Sequence, residues 1–337
     1  MDRPRILWQC PRFNPHFADY YINMNYKDAF VDLGYTFDFL TGEDDLIEKV
    51  NRFKPDILVT ATQNEYFEKL DIEWLNKKRK EGLFVIVAVE ALEHYDPLYR
   101  LENKPERIRL IQEGKLGDMF FGNNELERMK GFKEKTGYKY HFLPLAANHK
   151  VQFGSTHFVE KKYECAYVGN YMLSKKEKFA GYIDPLKNKH NLKLIGNNWT
   201  LTDRAIAKIH RMLKIKQKPK ITLDQERELY WKTKIGLNLH EKKQAIEGLD
   251  VNERTFKVPA CGCFELCDAN KSVYKYFAKD EVILAEDEKD WYEKIEYYLE
   301  NDEEREKIAE KGYQRVQKEH LYTHRVKKMI EIYKSYL

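Results

Sequence analysis

Leu83 to Val89 reads LFVIVAV, the most apolar run in the chain. It is too short for an ordinary helix and rich in β-branched side chains, which predicts a central strand buried on both faces. Asp56 to Ala61 (DILVTA) has the same character upstream, Arg5 to Cys10 (RILWQC) opens the chain just after Pro4, and Tyr35 to Leu40 (YTFDFL) alternates as a strand does. Between these runs, apolar spacing predicts helices over Tyr21 to Leu33, closed by Gly34, over Asp44 to Phe53, ended before Pro55, and over Ile72 to Lys80, closed by Gly82. Asp118 to Gly122 and Lys139 to Leu145 read as further strands. Strands alternating with helices predict a parallel sheet covered on both faces.

The pattern restarts in the second half. Tyr163 to Gly169 (YECAYVG), Asn191 to Gly196 (NLKLIG), Lys234 to Leu239 (KIGLNL), Cys263 to Cys267 and Glu281 to Leu284 read as strands, with a charged helix from Lys175. Three charged helices close the chain, over Lys289 to Leu299, Asp302 to Glu319 and Thr323 to Leu337. Two consecutive α/β units follow, joined near His149 to Lys162. Their ligands belong beyond the carboxyl ends of the strands, which directs attention to the residues just after each strand and to a cleft between the units.

Composition bounds the function. The chain has 337 residues, enough for two ordinary domains. A 42% hydrophobic share excludes general disorder, and a formal net charge of +4 gives no case for a dedicated nucleic-acid binder. Five cysteines are too sparse for a disulfide framework. No run approaches the length of a membrane span, and the amino terminus MDRPRILWQC lacks the apolar stretch of a signal peptide. The expectation is a cytoplasmic protein.

Asn252 to Gly262 (NERTFKVPACG) carries the sharpest chemistry. Asn252 can cap a short helix whose N–H groups face outward, and Arg254 in its first turn adds a fork of donors; together they suit a diphosphate. The plainer alternative is a surface arginine on a packing helix. Gly169-Asn170 and Gly196-Asn197-Asn198-Trp199 end two strands, where glycine admits close backbone approach and asparagine tolerates a left-handed turn. His240 follows the strand KIGLNL and can donate to a phosphate oxygen or serve the core. Cys261, Cys263 and Cys267 lie close together, but no fourth ligand stands at zinc spacing, so no metal site is expected there. On the first unit Glu90 directly follows the strongest strand, with Glu93, His94 and Asp96 close behind. A carboxylate there can act as general base, or can cap a nearby helix. Asn14, His16, Gln63 and Asn64 also follow strands and can line the same pocket or satisfy loop backbone. Arg204 to Lys220 holds seven Lys/Arg and no acid, and suits either an anionic surface or a plain solvated helix.

From Tyr140 onward the sequence resembles the glycosyltransferase group named after the spore-maturation protein CgeB, a branch of the GT-B glycosyltransferases. The motifs are YHFLPLAAN (Tyr140 to Asn148), AYVGN (Ala166 to Asn170), LIGNNW (Leu194 to Trp199), NERTFKVPACGCFELCD (Asn252 to Asp268) and YYLENDEEREKIAEKGYQRVQKEHLYTHR (Tyr297 to Arg325), in the family's order. The resemblance implies a GT-B fold: Rossmann-like domains over residues 1–150 and 151–322, facing each other across a cleft, with a last helix (323–337) crossing back to the first. Val326, Met329, Ile330 and Tyr333 would form that helix's buried stripe. It implies a nucleotide-sugar donor as substrate, with no cofactor and no metal. Gly169 and Asn170 would approach the donor, Asn198 and Trp199 border its base, and Asn252, Arg254 and Thr255 meet the diphosphate near His240, with Phe256 packed beneath. Glu90 would be the catalytic base. One position departs from the family: where relatives carry a glutamate for the donor ribose, this chain has Lys257, and a cation accepts no hydrogen bond. The expected activity is sugar transfer to a hydroxyl of an unknown acceptor, a glycan, a protein or a nucleic acid. Two other classes stay open: a nucleic-acid-modifying glycosyltransferase, and a non-catalytic nucleotide- or sugar-binding module with the same fold.

Overall fold

A computed structural model describes residues 3–15, 18–89, 105–213, 219–241 and 250–337. The chain divides into two compact units, one of Met1–Pro144 with Tyr322–Leu337 and one of Leu145–Leu321.

The first unit is built on six strands: β1 (Ile6–Cys10), β2 (Phe37–Thr41), β3 (Ile57–Ala61), β4 (Phe84–Ala88), β5 (Met119–Gly122) and β6 (Tyr140–Phe142), in the order β2-β1-β3-β4-β5-β6. All neighbours are parallel. The run LFVIVAV is β4, paired with β3 from Ile57↔Phe84 to Ala61↔Ala88. Its Val85, Ile86 and Val87 have no solvent exposure, as expected of a strand covered on both faces. Asp45 and Asp71 cap the helices Leu46–Phe53 and Ile72–Lys80, each accepting from the backbone N–H three residues on. The last helix, Tyr322–Lys334, lies against Ala18–Asp32, with the Tyr26 and Tyr322 rings 5.0 Å apart. It buries Val326, Met329 and Ile330, and Tyr333 meets Phe84 edge-on at 4.9 Å.

The second unit carries β7 (Tyr163–Val168), β8 (Leu192–Ile195), β9 (Thr233–Asn238), β10 (Phe264–Cys267) and β11 (Ile283–Leu284), ordered β11-β10-β9-β7-β8, again all parallel. Its core gathers Tyr167, Phe179, Leu237, Leu266, Trp291 and their neighbours. The charged helix expected from Lys175 is broken into short turns, Leu173–Lys175, Lys176–Lys178, Phe179–Ile183 and Asp184–Asn188. Pro185 has no N–H to continue the ladder and forbids a straight helix there.

In each sheet the winding reverses once. It does so between β1 and β3 in the first unit, and between β7 and β9 in the second. At such a switch point the loops leave in opposite directions and open a crevice at the carboxyl ends of the strands. In the second unit, that end is where the sequence motifs converge.

Candidate functional site

The carboxyl ends of β7, β9 and β10 are tied together by buried polar side chains. Asn238, the last residue of β9, is fully buried and uses its whole amide. Its Nδ2 donates to Thr255 Oγ1 at 3.1 Å and to Glu265 Oε1 at 2.7 Å. Its Oδ1 accepts from Asn252 Nδ2 at 2.8 Å and from Arg254 Nε at 3.2 Å. A single side chain thus fixes the register of the helix Arg254–Ala260 over the strand ends. Asn252 does so from outside that helix, since its Oδ1 also accepts from the Arg254 N–H at 2.9 Å.

Arg254 lies across the switch point. Its Nη1 donates to the Val168 carbonyl at the end of β7 at 3.0 Å, and its Nη2 to the Leu239 carbonyl just past β9 at 3.1 Å. The guanidinium stands 4.8 Å from the Tyr167 ring centre. These contacts, with the Nε bond to Asn238, take three of the five N–H donors that a guanidinium carries. The side chain is partly exposed, so the fork is held rigidly at the rim of the crevice with donors to spare.

Two strand-end glycines make room for this. A Cβ on Gly169 would stand 2.9 Å from Arg254 Nη1, and one on Gly196, at φ +151°, would stand 2.1 Å from the Gly169 carbonyl oxygen. The turns after β7 and β8 therefore lie against each other with no space for side chains between them. The Asn170 side chain accepts from the Asn197 N–H at 2.8 Å, and Asn198 takes the left-handed conformation at φ 71°. Trp199 donates its indole N–H to the Gly169 carbonyl at 2.8 Å and packs with Tyr167, Tyr171 and Phe179.

Behind the fork lies a charged layer that strand-end motifs alone did not single out. Lys175 is 5% exposed, and its Nζ donates to the Leu239 carbonyl at 3.0 Å. Burial, and then the nearby Arg254 charge, pushes its pKa down to about 7. Asp268, directly after β10, accepts from the His240 backbone N–H at 3.0 Å, faces His240 Nδ1 at 2.7 Å and pairs with Lys178. Burial works to raise the Asp268 carboxyl, but the His240 contact and the Lys178 ammonium outweigh it and hold it below its ordinary value. Burial outweighs the Asp268 contact and lowers the His240 pKa from its ordinary value, which favours the neutral ring. The neutral ring then donates Nδ1–H to Asp268 and accepts at Nε2 from the Thr255 hydroxyl, 3.3 Å away. Glu265, in β10, is driven up to about 8 by burial.

The structure thus gathers Gly169, Asn170, Asn198, Trp199, His240, Asn252, Arg254 and Thr255 at one end of one sheet. His240 and Thr255 have no exposed surface, so they orient Asn238 and the helix start. Phe256 is also fully buried, with Tyr276, Phe277 and His320. Lys257 turns the other way, to Glu253 at 3.2 Å and Glu226 at 3.9 Å. Those two carboxylates keep it charged despite burial. In the first unit, Asn64 is held by Arg107 at 2.7 Å, Gln63 begins the turn Asn64–Phe67, and Asn14 is exposed. Glu90, Glu93, His94, Asp96 and His16 lie outside the described residues. All five cysteines are free, and no group of three or more His, Cys, Asp or Glu stands ready for a metal among the described residues.

The two displaced pKa values set opposite pH slopes. Folded Glu265 keeps its proton where the unfolded chain has lost it, so its contribution to stability falls as pH rises from 4.5 to about 8. Folded Lys175 gives up its proton where the unfolded chain still holds it, so its contribution rises from about pH 7 to 10.5. Glu265→Gln removes the first slope. Measured by urea unfolding, the variant should gain roughly 2–4 kcal/mol on wild type between pH 5 and pH 8. Parallel pH profiles for the two proteins would refute a protonated Glu265.

Residues 178–331 match the model of a family described as glycosyl transferase-like. No curated protein sequence matches the chain. Solved structures match over almost its whole length. A sucrose-phosphate synthase from Thermosynechococcus elongatus is 10% identical, with a TM-score of 0.63 and 99% of each chain covered. An alpha-glucosyltransferase in complex with UDP is 13% identical, with a TM-score of 0.68, covering 98% of this chain and 99% of that one. A T4 phage enzyme abbreviated BGT, in complex with UDP and Mn2+, is 12% identical, with a TM-score of 0.61 and the same coverage. The architecture is that of GT-B glycosyltransferases: α/β, with two Rossmann-like parallel-sheet domains.

Proposed function

We propose that the chain is a glycosyltransferase that takes a sugar from a nucleotide-sugar donor and passes it to an acceptor hydroxyl. The observation that carries this reading is the Arg254 fork, anchored on the Val168 and Leu239 carbonyls at the switch point of the second sheet. A leaving diphosphate there gains a fixed, partly desolvated cation as its negative charge builds, with Lys175 immediately behind. The glycosyl transferase-like match over 178–331 includes the helix that bears Arg254. The CgeB-like motifs favour that branch of the fold. In this reading Gly169 and Asn170 flank the donor, and Asn198 and Trp199 form the rim beside its base. Glu90, two residues past the end of β4, is the general base in an inverting reaction. Cationic side chains take the electrostatic role that a metal has elsewhere, so donor binding withstands EDTA.

Transfer onto nucleic acid is a second reading. Alpha-glucosyltransferase neighbours with TM-scores of 0.65 and 0.66 were solved with DNA. A salt-sensitive affinity for duplex DNA would favour it.

The experiment is a thermal-shift screen against nucleoside diphosphates and nucleotide-sugars, with and without EDTA. A ligand at 100 times its dissociation constant adds about 2.7 kcal/mol of stability. One base should stand out and EDTA should leave the shift in place. Silence across the whole panel would sink the donor-site reading. Selective binding with no sugar released to water or to any acceptor would instead make the chain a binding module.

A further inference from the structure

The helix Leu201–Met212, which leaves the turn after β8, faces the wrong way for a helix of a globular core. Surface helices turn their apolar stripe inward. Here Asp203, Ala207 and His210 are the residues shielded from solvent, among those described. At 100° per residue they share one arc. Leu201, Ala205, Ile209 and Met212 fall on the opposite side, with Thr202 among them and Leu213 and Ile206 on the flank towards His210; all are exposed, Leu201 by 81%, Met212 by 77%, Leu213 by 63%. Arg204 and Lys208 lie beside that arc and are exposed as well. Arg204 keeps the helix in place, its Nε on the Asn198 carbonyl at 3.0 Å and its guanidinium 4.3 Å from the Tyr171 ring centre. In the sequence, the stretch from Arg204 to Lys220 carries seven Lys/Arg and no acid.

We infer that this helix is an interfacial anchor that lies in the surface of an anionic lipid membrane. An outward apolar arc bordered by cations suits the acyl boundary and the headgroups at once. Nucleic acid would answer the cations but would leave six aliphatic and alanine side chains in contact with a polar, wet surface. A second copy of this helix would bring two strongly cationic stretches together, which like charge opposes. No helix among the described residues is long and apolar enough to cross a membrane. The inference does not rest on the glycosyl-transfer reading. If both hold, the turn Gly196–Trp199 lies next to the lipid, and the acceptor is one displayed there.

The test is flotation of the full chain with vesicles of phosphatidylcholine alone or mixed with phosphatidylglycerol, beside duplex DNA binding and sedimentation at the same salt. The chain should partition into the mixed vesicles and much less into the neutral ones. Ile209→Glu should lower partitioning about tenfold or more, and Lys208→Glu about fivefold. Both positions are exposed, so circular dichroism and thermal midpoint should match wild type. Failure of the wild-type chain to bind mixed vesicles overturns the inference. So does equal binding by Ile209→Glu. DNA binding weakened by Lys208→Glu but not by Ile209→Glu, without vesicle binding, would assign the surface to nucleic acid. A dimer dissolved by Ile209→Glu, again without vesicle binding, would assign it to a second copy.

Discussion

Arg254→Ala should abolish the thermal stabilisation that a nucleoside diphosphate gives the wild-type chain. The variant loses a fixed charge and the two donors left over after Asn238, Val168 and Leu239 are served. Removing one partner of a desolvated charged pair costs about 2–5 kcal/mol, which is roughly 30-fold to several thousand-fold in affinity. Calorimetric titration reads this directly. Arg254→Lys should recover little of it, because an ammonium cannot span the Val168 and Leu239 carbonyls and still present donors outward. The unliganded variant should also lose about 1–3 kcal/mol of stability, since strand-end acceptors are left without a donor. A variant with lowered stability but unchanged affinity would show Arg254 to be a structural brace only.

Asp268→Ala should have the largest effect on stability among the site residues. Asp268 is 1% exposed and serves the His240 backbone N–H, the His240 ring and the Lys178 ammonium. Removing one member of a buried charged cluster costs about 3–5 kcal/mol, because the remaining charge keeps its desolvation without its partner. Chemical unfolding near neutral pH measures the loss; less than about 1 kcal/mol would mean water replaces the carboxylate. The carboxyl is held below its ordinary value of 3.8 in the folded chain. Its contribution is therefore present above pH 3.8 and disappears as pH falls through the lower folded value. Wild type should lose stability in that acid range, and Asp268→Ala should have a flatter profile there.

The architecture was legible almost completely. Every strand expected from apolar runs appears, with ends displaced by a few residues at most, as in Asp56 to Ala61 against Ile57–Ala61. The helices Ile72–Lys80 and Asp302–Glu319 begin and end at their expected residues. Cap and stop signals are local, so one sequence carries them. The reversal of winding in each sheet is not local; strand order depends on which edges meet, and only the three-dimensional pairing shows it. The same limit applied to the site. Arg254 was recognisable from its motif, but its acceptors at the end of β7 and just past β9 are 86 and 15 residues away in sequence. Lys175 reads only as the start of a charged helix, because a lysine's burial depends on distant packing. Glu265 and Asp268 were hidden in an apolar strand, CFELCD, read for its cysteines. Two signals were available: a carboxylate inside an apolar run, and a carboxylate directly after a strand, by the rule that had already selected Glu90.

The chain's thiols have a practical consequence. Cys10, Cys165, Cys261, Cys263 and Cys267 are all free and all buried. Burial drives Cys10 and Cys263 up to about 11 and raises the other three as well. Alkylating reagents attack the thiolate, and almost none forms here near neutral pH. The wild-type chain is therefore a silent background for maleimide chemistry. One cysteine placed at exposed Met212 or Leu213 would take a fluorophore or a spin label alone, with no native thiol to be removed first.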